Sequence, residues 1–479
     1  MFKNLDVHNI FISLYIMSQI TLFIYNYITL LNDRNYSGIF NIIGHGLLLA
    51  KSSAIVLNFD FMLLFLLINK GIIYKLLGPY SEYVSLNEYI NIHMYIVNSI
   101  GLFSSIHTGA HIYNFMKLGN TSNLFFTTAA GITGIVLVIS CIIVFTIAYI
   151  RKLINYNIFF YTHMLYFLIV VSLIFHGSFC FIKTDNGNCT AANFYKWVIV
   201  PFALFVVEKL LLFYFSRKST TFVNIKKHSN NINEIELYKE NFQSKEGEWI
   251  LVNCPRISKL EWHPFTITSN PVEFGKVSFH VKEQGDWTNK LILCLLNEQN
   301  QNDKNNLLNI SYPYGTRQET FTRYPVTVLI AGGIGITAFM SLLQQLGCSM
   351  GHGRGNVRVK NVHLYWMCRS TQDFLAFLPR LQMINRDLQS EHRETPLHIN
   401  LYLTGPSSVQ PFYPPFTFNL GRPDFDSIFE DIRTTYKDIQ VKILFCGSKS
   451  MNNSLYSKCK KWNNNKSTNF IYQKGEIFN

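Results

Sequence analysis

The chain has 479 residues, of which 48% are hydrophobic, 15% are aromatic and only 15% are charged, with a formal net charge of +13. This length predicts more than one domain, and the apolar composition argues against an ordinary soluble protein. A basic balance also suits nucleic-acid binding, but long apolar runs favour a membrane protein with basic cytosolic parts. We therefore expect a membrane-lipid environment and no nucleic-acid partner.

Six apolar runs in the first half are long enough to span a bilayer, which takes about 20 helical residues each. Lysine and arginine in the short loops are concentrated after runs 2, 4 and 6, so the positive-inside rule predicts that both termini are cytosolic. The predicted spans lie near 9–31, 42–69, 87–113, 126–149, 159–182 and 195–216.

The nine cysteines form no CxxC pair, which argues against a zinc site. Cys180 and Cys189 lie in the short polar stretch between runs 5 and 6. On the outer side of a membrane they could form a disulfide, or they could remain two free thiols.

Runs 3 and 5 each contain two histidines, at spacings of 14 residues (His93, His107) and 13 residues (His163, His176). These spacings correspond to about 21 and 19.5 Å along a helix axis. The two runs cross in the same direction, so the histidines form one pair near the cytosolic face and one near the outer face. Two stacked pairs of imidazoles suit two haems, each with one axial nitrogen from each helix.

Thirteen residues do not complete a whole number of helical turns, so a straight run 5 would aim its two histidines in different directions. Either run 5 is locally distorted, or the two haems meet it at different angles. His111 lies one turn outward from His107 and could line the outer mouth or act near the outer haem. Lys51 in run 2 could pair with a haem propionate or with another polar group.

The second half changes character after Arg217, to short β-branched runs broken by Pro and Gly. The stretch "VTVLIAGGIGITAFMSLL" (326–343) predicts a strand, a Gly-rich turn and a helix, the arrangement in which a backbone approaches a phosphate. The segments 362–371 and 441–448 predict two further parallel strands that end in polar turns. Arg422 is a candidate for contact with a 2′-phosphate.

The chain resembles the NADPH oxidase family, within the ferric reductase superfamily, over nearly its whole length. The motifs that support this resemblance are the histidine pairs, "AAGITG", "YTH", "SKLEWHPFT", "GDWT", "AGGIGIT", "YWMCR", "YLTG", "GRP" and "FCG", in the family's order. The resemblance implies a membrane α-helical six-span bundle with a cytosolic ferredoxin–NADP reductase-like module. That module would comprise an antiparallel β-barrel FAD domain and an α/β parallel-sheet NADPH domain, with domains at 1–216, 217–324 and 325–479.

The resemblance also implies roles for individual residues. His93 and His163 would bind the inner haem, and His107 and His176 the outer haem, while Lys51 and His111 are candidate catalytic residues at the outer site. The residues expected at FAD are His263, Pro264, Phe265, Thr266, His280, Lys282, Trp287, Thr288 and the C-terminal Phe478. The residues expected at NADPH are Gly332, Gly333, Gly335, Thr337, Cys368, Arg369, Thr404, Arg422 and Cys446.

The implied activity is transfer of electrons from cytosolic NADPH, through FAD and two haems, to dioxygen on the far side, with superoxide as product. The same chain could serve as a transmembrane ferric or cupric reductase, and a channel or transporter with a regulatory nucleotide domain would contain no haem. A plasma or phagosome-like membrane, cytosolic activators and a small membrane subunit are further expectations from the resemblance.

Overall fold

A computed structural model describes residues 7–69, 71–73, 86–119, 126–180, 182–188, 193–217, 220–228, 231–298, 307–315, 323–351, 359–389, 397–406, 413–463 and 469–474. Two compact units are found, Met1–Ile72 with Glu88–Glu208, and Ile73–Asn87 with Lys209–Asn479.

The first region is helical because its apolar runs are long and nearly uninterrupted by charge. Large apolar side chains remain exposed along it, such as Leu14 at 63% and Met17 at 64%, as expected of surfaces that contact lipid. Its helices are α1 (Val7–Leu31), α2 (Ser37–Ile43), α3 (His45–Ile68), α4 (Leu86–Leu118), α5 (Ala129–Tyr149), α6 (Tyr156–His163), α7 (Tyr166–His176) and α8 (Phe194–Arg217).

Five helical segments of the described chain are long and apolar enough to cross a membrane. They correspond to predicted spans 1, 2, 4, 5 and 6. The predicted third span is the 33-residue helix α4, which is not among the five because His, Asn and Ser residues lower its mean hydropathy. The six-span bundle therefore stays a prediction.

The predicted fifth span is two helices joined at Met164 and Leu165. The backbone N–H of Leu165 donates to the carbonyl of Thr162, and that of Phe167 donates to the carbonyl of Met164, which are three-residue rather than four-residue closures. A 3₁₀ closure advances the side chains by about 20° more per residue than an α-helix does. Of the two alternatives left open by the 13-residue spacing, local distortion is confirmed. The helix also ends at His176, before the predicted limit of 182.

The region after α8 first forms two three-stranded antiparallel sheets, in the orders β1-β2-β5 and β4-β3-β6. A bridge between Ile267 and Phe279 links the two sheets, and both residues lie in one shared apolar core. The elements are β1 (Thr220–Lys227), β2 (Ile232–Lys239), β3 (Trp249–Asn253), β4 (His263–Thr266), β5 (Lys276–Lys282), α9 (Asp286–Glu298) and β6 (Asn309–Ile310).

The last region is a parallel six-stranded sheet in the order β10-β9-β8-β7-β11-β12. Its central strands are apolar on both faces: Leu329 packs into one core, while its neighbours Val328 and Ile330 pack into the other. The elements are β7 (Val326–Gly332), α10 (Thr337–Gly351), β8 (Asn361–Cys368), α11 (Thr371–Leu375), α12 (Leu378–Gln389), β9 (Leu397–Leu403), β10 (Phe418–Leu420), α13 (Phe425–Thr435), β11 (Gln440–Cys446), α14 (Lys449–Asn463) and β12 (Asn469–Lys474).

The three predicted parallel strands are confirmed as β7, β8 and β11, and β7 lies between the other two. The predicted Gly-rich turn follows β7 as a 3₁₀ turn, Gly333–Ile336, and α10 begins directly after it. The carboxyl ends of these strands therefore share one edge of the sheet, where ligands of such folds bind.

Candidate functional site

The structure brings the two outer histidines together. The ring centres of His107 on α4 and His176 on α7 lie 6.1 Å apart. Nδ1 of His107 donates to the carbonyl of Ala50 at 2.8 Å, and Nδ1 of His176 donates to the carbonyl of Ala130 at 2.9 Å. Because a carbonyl oxygen only accepts, these bonds fix the proton on Nδ1 and leave Nε2 with a lone pair for a metal.

The two inner histidines are also adjacent. The ring centres of His93 on α4 and His163 at the end of α6 lie 6.3 Å apart, and Phe159 stacks on His163 at 5.4 Å. Nδ1 of His163 is buried and has no hydrogen-bond partner within the described chain. The break after His163 allows α6 and α7 each to present one histidine to α4.

Both separations fit two imidazoles on opposite sides of one metal ion. A metal–nitrogen bond is about 2 Å long, and a ring nitrogen lies about 1.1 Å from the ring centre, so the two centres should lie about 6 Å apart. The ring centres at 6.1 and 6.3 Å agree with this distance. The residues present therefore fit bis-histidine haem ligation, and their role as ligands stays a prediction.

A cavity of about 510 Å³ adjoins the outer pair and is lined mainly by apolar side chains. Gly134 lines it, and a Cβ at this position would lie 3.2 Å from Cε1 of His176. The glycine therefore keeps space open beside the imidazole. Gly134 is the last residue of the motif "AAGITG", but the motif alone does not predict this function for it.

Lys51 and His111, the candidate catalytic residues, both line this cavity. The Lys51 ammonium donates to the Tyr36 hydroxyl at 2.8 Å and lies 4.4 Å from the centre of the Tyr36 ring. This matches the alternative in which the lysine meets another polar group. The His111 ring lies 4.6 Å from that of His107 and stacks on Phe115.

The four residues of the expected flavin motif, His263, Pro264, Phe265 and Thr266, form strand β4 and are all half-buried. Trp287 is buried and stacks on the His263 ring at 4.0 Å, while Phe265 packs on Phe279. The indole Nε1 of Trp287 is buried without a hydrogen-bond partner within the described chain. Burial lowers the pKa of His263, so this side chain is neutral near pH 7.

His280 on β5 faces the parallel-sheet region, where its ring packs on Phe377 at 4.4 Å. It lies opposite Glu234 of β2, which accepts a hydrogen bond from Arg380 at 2.6 Å. Burial acts to raise the pKa of Glu234, but the adjacent His228 ring at 3.5 Å and the Arg380 guanidinium outweigh burial and hold that pKa well below its usual range. Burial lowers the pKa of His280 to about 3.

The remaining expected FAD residues occupy the ends of two elements. The Lys282 ammonium lies 3.5 Å from a carboxylate oxygen of Asp373, so it links β5 to α11. The Thr288 hydroxyl accepts from the backbone N–H groups of Gln284 and Gly285, each at 3.1 Å, and shapes the turn that begins α9. Phe478 lies outside the described residues.

The glycine cluster combines two different requirements. Gly333 has φ +56° and open space where a Cβ would stand, which leaves the backbone accessible to a ligand. A Cβ at Gly335 would instead lie 2.4 Å from the carbonyl oxygen of Cys446, so this glycine is required by the packing of the turn against β11. Thr337 begins α10 and donates its hydroxyl to the Ile334 carbonyl.

The other expected NADPH residues follow the carboxyl ends of neighbouring strands. Cys368 ends β8, and burial raises the pKa of its thiol. Thr404 follows β9 and donates its backbone N–H to the Cys368 carbonyl at 2.8 Å. Cys446 ends β11, whereas Arg369 and Arg422 are exposed just beyond β8 and β10. The structure thus gathers all these residues at one edge of the sheet.

Sequence reasoning missed contacts that involve the main chain. A Cβ at Gly405 would lie 2.0 Å from the carbonyl oxygen of Arg369. The "YLTG" glycine therefore allows the chain after β9 to pack closely against the chain after β8. The carbonyls of Ala50 and Ala130 also received no prediction. Cys180 is disulfide-bonded, and Cys189 lies outside the described residues, so their pairing stays a prediction.

The chain combines paired histidines on long apolar helices with a small antiparallel β domain and a parallel α/β sheet. This combination is the one expected of a membrane-bound oxidoreductase. An FAD-binding domain family matches residues 217–318, and the ferric reductase NAD binding domain family matches residues 324–412.

The curated relatives are NADPH oxidases, homologous to this chain over most of its length. NADPH oxidase 1 of Mus musculus is 27% identical over 93% of this chain and 89% of its own. A superoxide-generating NADPH oxidase heavy chain of Dictyostelium discoideum is 29% identical over 97% of this chain and 96% of its own. NADPH oxidase 4 of Homo sapiens is 26% identical over 98% of each chain. The predicted resemblance and the predicted enzyme class are confirmed.

Proposed function

We propose that the chain is a transmembrane NADPH oxidase that passes electrons from cytosolic NADPH, through FAD and two b-type haems, to dioxygen on the outer side, forming superoxide. The observation that best supports this function is the pair of imidazole pairs, with ring centres 6.3 and 6.1 Å apart. The matched FAD and NAD domains and the curated NADPH oxidases support it independently.

Nicotinamide supplies a two-electron hydride, flavin converts it to single electrons, and haem moves single electrons through an apolar region. The protein's residues fix the position of each group. His93 and His163 would hold the inner haem, and His107 and His176 the outer haem. At the outer pair, the Ala50 and Ala130 carbonyls keep Nε2 unprotonated and orient both rings, which lets the site bind metal at neutral pH.

The β domain would hold FAD along β4 and the start of α9. His263, Pro264, Phe265 and Thr266 lie on β4, and the buried Trp287 indole backs the His263 ring. The neutral His280 and the cation of Lys282 lie on β5, which faces α11 and α12 of the nucleotide domain. A cationic side chain at this position suits the negatively charged pyrophosphate of a flavin.

The parallel sheet would bind NADPH at the carboxyl edge of its strands. The open backbone at Gly333 and the N-terminus of α10 suit the pyrophosphate, while the exposed Arg422 suits the 2′-phosphate. Cys368, Arg369, Thr404 and Cys446 would line the same edge. Phe478 would cover the flavin.

The acceptor site would be the cavity beside the outer pair. Its mainly apolar lining suits a small apolar molecule such as dioxygen, and Lys51 and His111 contribute its charged and polar lining. Within this proposal the domains are 1–216, 217–324 and 325–479, the first crosses the membrane six times, and both termini are cytosolic. Cytosolic activators and a small membrane subunit are further partners of the proposal.

A ferric or cupric reductase is the second candidate, because the NAD-binding family that matches residues 324–412 is that of ferric reductases. The electron path would be the same and the acceptor would differ. The two functions separate when purified full-length protein with FAD and lipid receives NADPH under air. Superoxide formation, measured as cytochrome c reduction that superoxide dismutase abolishes, is expected for the oxidase. Reduction of a ferric chelate that exceeds this signal would identify a metal reductase.

A reduced-minus-oxidised spectrum of the same preparation tests the electron path itself. Two b-type haems per chain are expected. A protein that folds, binds FAD and shows no haem absorbance would contradict the proposal and would favour a channel or transporter with a nucleotide-binding domain.

A further inference from the structure

A carboxylate is fully buried in the helical unit and has no function in the path described above. Asp60 lies on α3 at 0% exposure. Its Oδ1 accepts from the Tyr15 hydroxyl and from the Gln19 amide, both at 2.8 Å, and its Oδ2 accepts from the Ser99 hydroxyl at 2.7 Å. These donors come from α1 and α4, so three helices converge on one side chain.

The hydrogen-bond donors of this cluster are directed to Asp60, either directly or through Ser99. The Gln19 amide has two hydrogens, one directed to Asp60 and the other to Ser99 Oγ at 2.5 Å, and the Ser99 hydroxyl then donates onward to the carboxylate. Three charge-assisted bonds of this kind stabilise the ionised form. No lysine, arginine or histidine of the described chain forms an ion pair with Asp60, so in that form its negative charge has no counter-charge.

The charged and titratable groups on the neighbouring helices determine which charges interact electrostatically with Asp60. Tyr15 on α1 is the titratable group that hydrogen-bonds Asp60. On α4, Ser99 lies six residues after His93 and eight residues before His107, or about 9 and 12 Å along the axis. Lys51 lies on α3, nine residues before Asp60. The carboxylate is therefore at a depth between the two histidine pairs, and a charge at either pair acts on it through a poorly screened, apolar medium.

We propose that Asp60 is an intramembrane proton-binding site whose occupancy follows the electron count of the helical unit; the proposal rests on the proposed function. When one electron enters, one negative charge is added near an existing negative charge. The carboxylate then takes one proton from water, forming an O–H bond, and the positive charge of the proton offsets the negative charge of the added electron. When the electron leaves toward the acceptor, the O–H bond breaks and the proton returns to water. Electrons come from NADPH, and no further reductant or oxidant is required.

Redox titration of the full-length protein, followed by its b-type absorbance between pH 6 and pH 9, tests this site. In the wild type the midpoint potentials should fall as pH rises, because reduction is accompanied by proton uptake. In Asp60→Asn the dependence should be lost, and at high pH the ratio of reduced to oxidised sites at a fixed potential should rise about tenfold, since a negative charge about 10 Å away is removed.

Two matched variants distinguish a proton site from general disturbance. Asp185→Asn removes a carboxylate charge from an exposed loop of the same unit and keeps one oxygen acceptor, enough for one of the two N–H groups, those of Gly38 and Ile39, that bond its carboxylate, so it should leave the potentials and their pH dependence unchanged. Tyr15→Phe removes one donor to Asp60 but keeps the acid, and should move the pH-dependent region to higher pH.

Redox difference infrared spectroscopy gives a direct readout. A protonated-carboxyl C=O band should appear on reduction and should be absent in Asp60→Asn. Equal potentials with equal pH dependence in the wild type and in a haem-retaining Asp60→Asn protein would overturn the proposal while leaving the proposed function intact. Wild-type protein without haem absorbance would instead refute the proposed function, and the proton site with it.

Discussion

The helical unit and the parallel sheet offer different kinds of binding group to their proposed ligands. In the proposed function, four imidazoles would do the binding in the helical unit, and the main chain orients the outer two through the Ala50 and Ala130 carbonyls. In the sheet, the main chain itself would be the binding surface at Gly333, and side chains such as the buried Cys368 would flank it. Side-chain sites leave a clear trace in the sequence, whereas main-chain sites are visible only as glycines.

This difference has a physical origin. Haem iron favours nitrogen or sulfur ligands, and a main-chain amide nitrogen has no free lone pair, so side chains must supply them. A pyrophosphate needs many N–H donors, and the unpaired start of a helix supplies these without side chains. Substitution of a histidine in the helical unit should therefore remove a metal ligand, whereas substitution of a glycine in the sheet should change the backbone geometry.

The largest effect is expected at an outer imidazole. His107→Leu removes one of two metal-binding nitrogens, so we expect loss of one haem per chain and a fall in NADPH-dependent turnover of about 100-fold or more. Haem content from the difference spectrum and turnover under air check this. His45→Gln is the matched control, because His45 lies in the same unit, bonds Tyr27 and belongs to neither pair. Retention of both haems in His107→Leu would show that the pair is not a ligand set.

A smaller effect is expected in the sheet, where one glycine is required by packing and another would approach the ligand. Gly335→Ala forces a Cβ against the Cys446 carbonyl and should destabilise the β7–β11 pair by about 1–3 kcal/mol. Gly333→Ala meets open space and should mainly raise KM for NADPH, with a backbone cost of about 1 kcal/mol from its positive φ. Hydrogen exchange of the β7 and β11 amides, measured beside KM, checks both. The contrast between side-chain and main-chain sites is wrong if both variants change KM alone.

Much of the fold could be predicted because its signals are local. Apolar runs at β7, β8 and β11 with polar turns after them require a buried parallel sheet, and the structure has these strands at those positions. The break in the fifth predicted span could not be located. The break lies at Met164 and Leu165, and neither position is the Pro or Gly that usually signals a helix break. A few 3₁₀ hydrogen bonds cost little free energy, so they require no particular residue type.

The candidate site was predictable where it depends on rare side chains and hidden where it depends on contacts distant in sequence. The four histidines could be paired by depth because few imidazoles occur in apolar runs. The carbonyl of Ala50 could not be predicted, since every residue has one and its partner His107 lies 57 positions away. The partners of Asp60 lie 39 to 45 positions from it in the sequence, which no helical periodicity reveals.

The smallest expected effect concerns His280, a histidine of the β domain that belongs to neither imidazole pair of the helical unit. Burial is the main cause that lowers the pKa of His280 to about 3, and the Arg380 charge adds to it while the Glu234 charge opposes it. In the unfolded chain the same side chain titrates near 6.5. Because the folded pKa is the lower one, the stabilising contribution is complete above about pH 6.5 and is lost as pH falls toward 3.

We therefore expect the β2–β5 pair to lose about 1 kcal/mol of opening free energy per pH unit below 6.5. Hydrogen exchange of the β2 and β5 amides in the full-length protein between pH 7.5 and pH 5 measures it. His280→Gln keeps an acceptor for the Thr268 hydroxyl but cannot take up a proton, so its opening free energy should be flat over this range. An equal slope in the variant would assign the acid sensitivity to another group. In the proposed function the outer imidazoles would bind through an unprotonated nitrogen fixed by carbonyls, whereas His280 stays neutral mainly through burial, so acid should open the β sheet while the Nδ1 bonds of the outer pair persist.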